Sequence, residues 1–350
     1  MKRRTFFGGF SMGAIGLSYS SIKSIVNKNN EDDKESEHYY DPPWDKYTQN
    51  FKSLEHIEIY GNKKLQIHHI NVGQSDATLI ITPTDKTILI DTGHSLDNGH
   101  IVYSYLQAYS IERIDYLILT HPHWDHIGGT KKIVKEYMEN LNGIGYILET
   151  GISHETITYK ENRSILKKYT EKISLIHEYK TLDIDENIKI NILNPEKDFD
   201  KRERMNNNSV AIHITHKNNR ILLPSDIEKE AEKRIKNKYR DELSSDIYRT
   251  AHHGDKNSST EEFLDIVNPK YAIISSPYDS EWNHPHEPTL ERLSERDIET
   301  YWTAIHGSII TVSDGYEWDI FCQSNSTTEP DKLRTESKIT SYPSSGVKIN

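Results

Sequence analysis

The hydrophobic positions of the chain follow two periods, one typical of strands and one typical of helices. Short apolar runs predict strands over residues 65–72, 77–82, 86–91, 114–120, 144–148, 188–193, 210–215, 220–223, 247–251 and 271–275. Apolar residues spaced three and four apart predict helices over residues 98–109, 130–141, 227–239 and 260–267. Because strands and helices alternate with short connections, the pattern favours two packed sheets flanked by helices.

Both ends of the chain differ in composition from the region between them. Residues 27–50 begin with a run of Asn, Asp, Glu and Lys that predicts a solvated linker. Residues 323–350 are rich in Ser, Thr, Pro and charge, which predicts a disordered tail. We therefore expect the folded domain to cover residues 51–322.

Residues 1–26 have the composition of an export leader. Arg3 and Arg4 stand in a basic start, and a mildly apolar run follows at residues 8–22. This arrangement resembles a twin-arginine signal. It predicts a periplasmic, extracellular or surface-attached protein, in which an uncleaved apolar run would act as a membrane anchor. A disordered basic tail on a cytoplasmic protein is the alternative.

The net charge of the chain limits the kinds of partner that it can bind. The chain has 54 acidic and 43 basic residues, which gives a net charge of -11. This charge argues against broad electrostatic binding to nucleic acid or anionic membrane, although a local basic groove is compatible with it. The single cysteine, Cys322, excludes an internal disulfide framework and a Cys-rich zinc module.

Candidate metal ligands are most closely spaced directly after the strand predicted over residues 114–120. Four candidate metal ligands, His121, His123, Asp125 and His126, occupy six positions there. The two histidines spaced by two can point the same way in an extended loop, whereas the last two candidates lie past a bend and can reach a second ion. Imidazole with carboxylate suits zinc, and also manganese or iron. The loop therefore predicts two neighbouring metal ions.

Further motifs accompany this HxHxDH loop in a fixed order. They are NVGQSDA at residues 71–77, IDTG at residues 90–93, NNS at residues 207–209, LPSD at residues 223–226, AHHG at residues 251–254 and NHPH at residues 283–286. Over about residues 64–322 the series resembles the metallo-β-lactamase superfamily, and within it the standalone relatives of the ComEC competence-protein nuclease domain. The resemblance implies an αββα sandwich of two mixed sheets flanked by helices.

The resemblance also implies a ligand set for two divalent metal ions, zinc first and manganese as the alternative, with no organic cofactor. The ligands are His121 and His123 for one ion, Asp125, His126 and His253 for the other, and Asp226 as the bridge between them. Relatives usually have Gly before the bridging Asp, whereas this chain has Ser225.

Many superfamily members supply one more histidine between the HxHxDH loop and the bridging Asp. His154, in a predicted loop, is the best candidate for that ligand. His177, His213 and His216 lack a motif context, and the NNS motif stands where the ligand is expected. One ion could therefore be bound less tightly than the other.

Neighbours of the ligands have expected roles as well. We choose His253 over His252 because adjacent residues at a strand end point to opposite sides. His252 would then face the substrate or pack as a core histidine. Asp91 is expected to accept a hydrogen bond from a ligand histidine and fix its tautomer. Asp76 would do the same or orient the metal-bound water, and a turn-only role is its alternative.

The expected reaction is hydrolysis by a metal-bound hydroxide, without a protein nucleophile. Asp125 would take the proton of the water. His286, and more weakly His306, could donate to a phosphate oxygen or to the leaving group; an exposed loop histidine is the equal alternative for both.

The resemblance implies a phosphoester or phosphodiester substrate, either nucleic acid or a smaller ester such as choline phosphate on a cell-surface polymer. Hydrolysis of a lactam, thioester or lactone by the same fold is an alternative. So is a non-catalytic secreted protein that binds an anion.

Overall fold

The computed structural model describes residues 60–178, 180–199, 205–324 and 326–334. The predicted leader, residues 1–26, and the predicted linker, residues 27–50, lie outside the described residues. Within the described ranges, no helix has the length and apolar character needed to cross a membrane.

Two mixed sheets form the centre of the fold. The first contains β1 (Leu65–His69), β2 (Thr78–Ile81), β3 (Thr87–Ile90), β4 (Ile114–Leu119), β5 (Ile144–Glu149), β6 (Ile173–Leu175), β14 (Ile309–Ser313) and β15 (Trp318–Cys322). The second contains β7 (Thr181–Leu182), β8 (Lys189–Asn194), β9 (Ala211–His216), β10 (Asn219–Leu223), β11 (Ile247–Arg249), β12 (Tyr271–Ile274) and β13 (Glu299–Trp302). The strand orders are β15-β14-β1-β2-β3-β4-β5-β6 and β13-β12-β11-β10-β9-β8-β7.

Helices cover the outer face of each sheet. They are α1 (His100–Ala108), α2 (Trp124–Ile127), α3 (Thr130–Asn140), α4 (Ile157–Leu166), α5 (Lys229–Tyr239), α6 (Glu261–Val267), α7 (Glu287–Ser294) and α8 (Thr303–His306). Apolar residues of α1, α3 and α4 pack on the first sheet. Those of α5, α6 and α7 pack on the second sheet. The order of layers is the predicted αββα sandwich.

Strand alternation builds the core on both sides of each sheet. On β3, Ile88 and Ile90 belong to the apolar cluster between the sheets, together with Ile221 of β10. Leu89 points the other way and packs in the cluster beneath the helices, with Tyr105 of α1. Because each fully buried side chain of this size contributes about 2 kcal/mol, the continuous apolar runs stabilise both interfaces of a sheet at once.

Several elements have no counterpart in the pattern of the sequence. They are α4, β6, β7, α7, α8, β13, β14 and β15. Pairing partners distant in sequence define some of them, since β14 joins β1 through the register Ile67 to Thr311. Local periodicity does not carry that information.

The packed domain also extends past the predicted boundary at residue 322. Leu333 is fully buried in the cluster beneath α7. The guanidinium of Arg334 donates to the carbonyl oxygens of His284 and Pro285, at 3.1 Å each. The disorder predicted from residue 323 therefore does not hold for residues 326–334, which contribute a buried apolar side chain and a half-buried cation to the domain.

Candidate metal centre

The predicted ligands meet where strands of both sheets end. His121 follows β4 of the first sheet, while Asp226 and His253 follow β10 and β11 of the second. The Nε2 atom of His121 lies 3.7 Å from Oδ2 of Asp226, so the two sheets contribute to one site. Loops at strand ends can present polar side chains without interrupting the sheet hydrogen bonds.

Four of the predicted ligands form a compact group. Asp125, His126, Asp226 and His253 each offer a ligand atom, and these atoms all lie within 4.8 Å of one another. Nε2 of His126 is 3.1 Å from Oδ2 of Asp226. Nε2 of His253 is 3.2 Å from Oδ2 of Asp125. These separations are close to those between neighbouring ligands of a tetrahedral ion.

One buried oxygen in this group tests whether a cation fits. Oδ1 of Asp226 is buried and has no hydrogen-bond partner among the described residues. The other oxygen of this carboxylate, Oδ2, is the one that the imidazoles of His126 and His253 approach. A buried carboxylate with an unpartnered oxygen is costly, and a cation bound by this group would offset that cost. The group therefore fits a divalent metal ion by its ligand chemistry and by its unsatisfied oxygen.

The other predicted ligands are more loosely arranged. Nε2 of His121 is 2.9 Å from Nδ1 of His123. The ring of His154 lies beside them, 5.8 Å from that of His123 between centroids. Nδ1 of His154 is 2.9 Å from the hydroxyl of Thr156, which leaves its Nε2 for another partner. The structure thus brings His154 to the edge of the first predicted metal position.

The remaining histidine candidates lie elsewhere. Nδ1 of His177 donates to the carbonyl oxygen of Glu178 at 2.9 Å. His213 is buried on β9, where burial lowers its pKa to about 4. Nδ1 of His216 is 3.0 Å from the hydroxyl of Ser313. Among the described residues, none of the three belongs to a group that could hold a metal ion.

Asp91 orients one of the cluster histidines. Nδ1 of His126 donates to Oδ2 of Asp91 at 2.7 Å. The same carboxylate accepts the backbone N–H of Thr120 at 2.8 Å and its hydroxyl at 2.7 Å. This arrangement fixes a proton of His126 on Nδ1 and directs Nε2 toward the cluster.

Asp76 has a similar place behind His253. Nδ1 of His253 donates to the carbonyl oxygen of Ser275 at 2.9 Å, and Oδ1 of Asp76 lies 3.4 Å from the same nitrogen. The other partner of Asp76 is the buried guanidinium of Arg249. Burial alone would raise the pKa of Asp76, but Arg249 and His253 lower it to about 2. The carboxylate is therefore charged, and it lies within 4.8 Å of the ligand atoms of Asp91 and His126.

Sequence reasoning missed Arg249. Its Nη1 also donates to Oγ1 of Thr78 at 3.2 Å, so it ties β2 to β11 across the sandwich. A charged residue inside the apolar run over residues 247–251 was the available signal. Such a residue is rarely buried without a specific partner.

The charges in the group are strongly coupled. Burial disfavours the charged form of His126, but Asp226 and Asp125 raise its pKa well above the usual range. Burial opposes ionisation of Asp226, and yet His126 and His253 lower its pKa well below its usual value. By contrast, burial and the neighbouring His126 lower the pKa of His121. Acidic and imidazole groups thus form an electrostatic trap for a cation.

The family model of the metallo-beta-lactamase superfamily matches residues 70–277, which includes every part of the compact group. The chain belongs to this superfamily. ComE operon protein 3 of Bacillus subtilis is 27% identical over 262 residues, which cover 70% of this chain and 32% of that protein. Recombination protein 2 of Haemophilus influenzae is 31% identical, over 70% of this chain and 28% of its own length. Ribonuclease J of Helicobacter pylori is 24% identical, over 63% of this chain and 34% of its own length. The chain spans about a third of the length of these relatives.

The HHG segment of this superfamily member is not part of a strand. β11 ends at Arg249, and His252 and His253 both have left-handed backbone, with φ of 49° and 57°. The prediction that His252 and His253 alternate at a strand end is therefore wrong, although His253 does enter the compact group. Nε2 of His252 lies 3.9 Å from Oδ2 of Asp226, and its side chain is 20% exposed. His252 therefore lies on the open side of the group.

The NNS motif stands where other members of the superfamily supply a histidine ligand. Here its side chains hold the backbone around Asp226, the candidate bridging ligand. The hydroxyl of Ser209 accepts the backbone N–H of Asp226 at 3.2 Å. Oδ1 of Asn207 accepts the backbone N–H of Glu228 at 3.0 Å. These bonds hold the chain between β10 and α5, which positions the Asp226 carboxylate.

Ser225 replaces the glycine that is usual in the superfamily. Its φ is 54°, in the left-handed region that favours glycine. Its hydroxyl donates to Oγ1 of Thr120 at 3.0 Å, which links the loops after β10 and β4. That hydrogen bond offsets part of the backbone cost at this position.

The NHPH motif places two further histidines, His284 and His286, beside the compact group. Nε2 of His284 is 3.2 Å from Oδ2 of Asp255, and its ring is 6.0 Å from that of His253. Nδ1 of His286 accepts the backbone N–H of Lys256 at 3.1 Å, and its ring lies 4.9 Å from that of His284. His286, at the start of α7, is thus one ring farther from the ligands than His284.

His306 is not an exposed loop residue. It ends α8 and is 1% exposed. Its Nδ1 accepts the backbone N–H of Trp302 at 2.9 Å. This contact indicates that His306 has a structural role.

Proposed function

We propose that the protein is a metal-dependent phosphodiesterase. The observation that carries the proposal is the group of Asp125, His126, Asp226 and His253, in which a buried carboxylate oxygen lacks a partner among the described residues. The two imidazoles of the group are oriented from behind by Asp91 and by the Ser275 carbonyl. Preorganised ligands of this kind are typical of a catalytic metal centre.

Two divalent ions, zinc or manganese, would be held by the chain. One would take His121 and His123, with His154 as a further ligand; the other would take Asp125, His126 and His253; Asp226 would lie between them. Such ions, when bound, activate a water molecule as a nucleophile and stabilise charge on the attacking and leaving oxygens.

The side chains on the open side have separate roles in the proposal. Asp125 accepts the proton of the attacking water, because its carboxylate borders the group and is 14% exposed. His252 donates a hydrogen bond to a phosphate oxygen or to the leaving group. Its Nε2 also lies 3.4 Å from the amide of Asn206, which restricts the ring. His286 acts through His284, as a residue that positions that ring.

The relatives support the proposed substrate class. The name of ribonuclease J refers to cleavage of a phosphodiester, and this relative matches 63% of the chain. The net charge of -11 favours a short or single-stranded substrate over long stretches of duplex. A phosphodiester on a cell-surface polymer is the second candidate substrate, because the leader favours export.

Turnover of bis-p-nitrophenyl phosphate tests the proposal. The protein loaded with manganese or zinc should hydrolyse it, and chelation should abolish turnover until metal is restored. Asp226→Asn should lose activity by about a thousandfold, whereas Asp279→Asn, which changes an exposed carboxylate, should not. Faster hydrolysis of a lactam, thioester or lactone would replace the substrate class. Metal-dependent binding of phosphate without any turnover would indicate an anion-binding protein.

We further propose that residues 1–26 direct export by the twin-arginine route. The support is the Arg3 and Arg4 pair ahead of an apolar run. Changing both to Lys keeps the charge but removes the planar guanidinium groups. Delivery across the cytoplasmic membrane should then stop while activity in the lysate persists. Unchanged delivery would reject the proposal.

A further inference from the structure

Three aromatic rings lie together beside the ligand loop. Trp124 stands between two candidate ligands in the sequence of that loop. Its ring lies 4.2 Å from the ring of His94 between centroids, with 57° between the ring planes. The ring of Trp282 lies 5.8 Å from that of Trp124, with 37° between the planes. Trp282 therefore adjoins a residue of the ligand loop.

The last of these rings faces solvent. Trp282 is 47% exposed, although a ring of this size contributes most when it is buried. Leu96, on the loop that carries His94, is 64% exposed. An apolar rim is thus available beside a centre whose own side chains are acidic or imidazole groups.

The loop that carries Trp282 is fixed on both sides of the ring. On one side, the hydroxyl of Ser280 donates to Oε1 of Gln74 at 2.6 Å and accepts the backbone N–H of Trp282 at 3.2 Å. On the other side, His284 lies against His252, with 5.6 Å between ring centroids. The backbone on both sides of the exposed ring is therefore held in place before a ligand binds, which lowers the entropic cost of binding.

The exposure of the rings favours one shape of ligand. A cage for a quaternary ammonium group needs several ring faces directed at one point. Of the three rings only that of Trp282 is exposed, whereas His94 and Trp124 are half-buried. A single exposed ring suits a planar aromatic ligand, which can stack on it.

We propose that the exposed ring of Trp282 is a stacking subsite for the nucleobase of a nucleotide whose phosphate lies at the metal centre. The inference rests on the proposed function for the position of the phosphate. Bases of a duplex are already stacked on one another, so the subsite selects single-stranded nucleic acid or its terminal nucleotide. Stacking on one ring tolerates every base, and the subsite therefore confers little sequence preference.

Equilibrium binding to the metal-loaded protein tests the subsite. The probes are adenosine 5′-monophosphate, ribose 5-phosphate and phosphocholine, which share a phosphate and differ in the group attached to it. Wild type should bind the nucleotide roughly 5- to 100-fold more tightly than ribose 5-phosphate. Trp282→Ala should remove this preference and leave the dissociation constant of ribose 5-phosphate unchanged, while Trp282→Phe should retain part of it.

Tyr316→Ala is the matched control, because Tyr316 is 64% exposed in the turn between β14 and β15, away from the ligand loop. It should keep the full preference for the nucleotide. Equal affinity of wild type for nucleotide and sugar phosphate, or tighter binding of phosphocholine, would overturn the subsite. So would a loss of preference in Tyr316→Ala. A nucleotide preference that depends on Trp282 in a protein without turnover would uphold the subsite and reject the proposed function.

Discussion

Single residues behind the metal centre decide which atoms face it. His126 and His253 both donate from Nδ1, one to Asp91 and one to the Ser275 carbonyl, so both present Nε2 to the group. The HxHxDH loop could be predicted from sequence because its spacing follows a strand. The partners behind it could not, because they come from other strands and only the fold brings them there.

The adjacent histidines give the first prediction. His253→Gln should lose the metal ion held with Asp125 and His126, and turnover should fall about a hundredfold or more. His252→Gln should keep its metal content and lose mainly turnover, since its ring lies on the open side. Elemental analysis and kinetics on both variants make the comparison. Equal metal loss in both would contradict the assignment.

The buried ion pair gives the second prediction. Arg249→Met leaves Asp76 as an uncompensated buried carboxylate, and we expect it to reduce the free energy of unfolding by about 3–5 kcal/mol. The double variant Arg249→Met with Asp76→Asn should recover a large part of that loss. Denaturant unfolding of metal-free protein measures both. A double variant less stable than Arg249→Met would show that the pair does not act as a unit.

Among the elements, the loop between β12 and α7 depends on the segment over residues 326–334. The guanidinium of Arg334 lies over the Trp302 ring, 5.1 Å from its centroid, and bonds the carbonyl oxygens of that loop. The hydroxyl of Tyr278 donates back to the carbonyl oxygen of Arg334 at 2.8 Å. The segment therefore fixes the loop that presents Trp282 and His284.

Arg334→Ala should release this loop. We expect faster hydrogen exchange of the backbone amides of residues 278–286, about a tenfold loss of kcat/KM and unchanged metal content. Lys332→Ala is the control in the same segment, because it removes the ion pair with Glu329 and leaves Leu333 and Arg334 unchanged. Unaltered exchange in Arg334→Ala would refute the role of the segment.

Elements with strong local periodicity could be predicted, and those defined by distant partners could not. α1 carries Val102, Tyr105 and Leu106 on one buried face, which is visible in the sequence. β15 is an edge strand in which half-buried and exposed positions alternate and none is fully buried, and its pairing with β14 defines it. The segment over residues 326–334 is polar in composition, so its buried residues Pro330 and Leu333 gave no periodic signal.

For the molecule as a whole, buried histidines couple stability to pH. His68 is fully buried on β1, its Nδ1 is 2.9 Å from the Tyr105 hydroxyl, and burial lowers its pKa to about 3. The unfolded chain takes up this proton near pH 6.5, whereas the folded chain does so only near pH 3. The stability that neutral His68 contributes is therefore fully present above pH 6.5 and is lost as the pH falls toward 3.

His68→Gln should reduce this sensitivity to acid. Between pH 7 and pH 5, the protonation of His68 in the unfolded state lowers the free energy of unfolding by about 2 kcal/mol, and the variant should lack that part of the decrease. His177→Gln, at a half-exposed position, should show the decrease of wild type. Both comparisons use metal-free protein, so that release of metal does not contribute. Parallel curves for wild type and His68→Gln would contradict the account.

The central claim for the whole molecule is that two sheets assemble a paired-metal centre for phosphodiester hydrolysis. Titration of metal-free protein with manganese or zinc, followed by the initial rate on bis-p-nitrophenyl phosphate, tests it most directly. We predict no turnover without metal and a rate that rises to a plateau at two ions per chain. A plateau at one ion, a rate independent of metal, or no turnover at any ratio would contradict it.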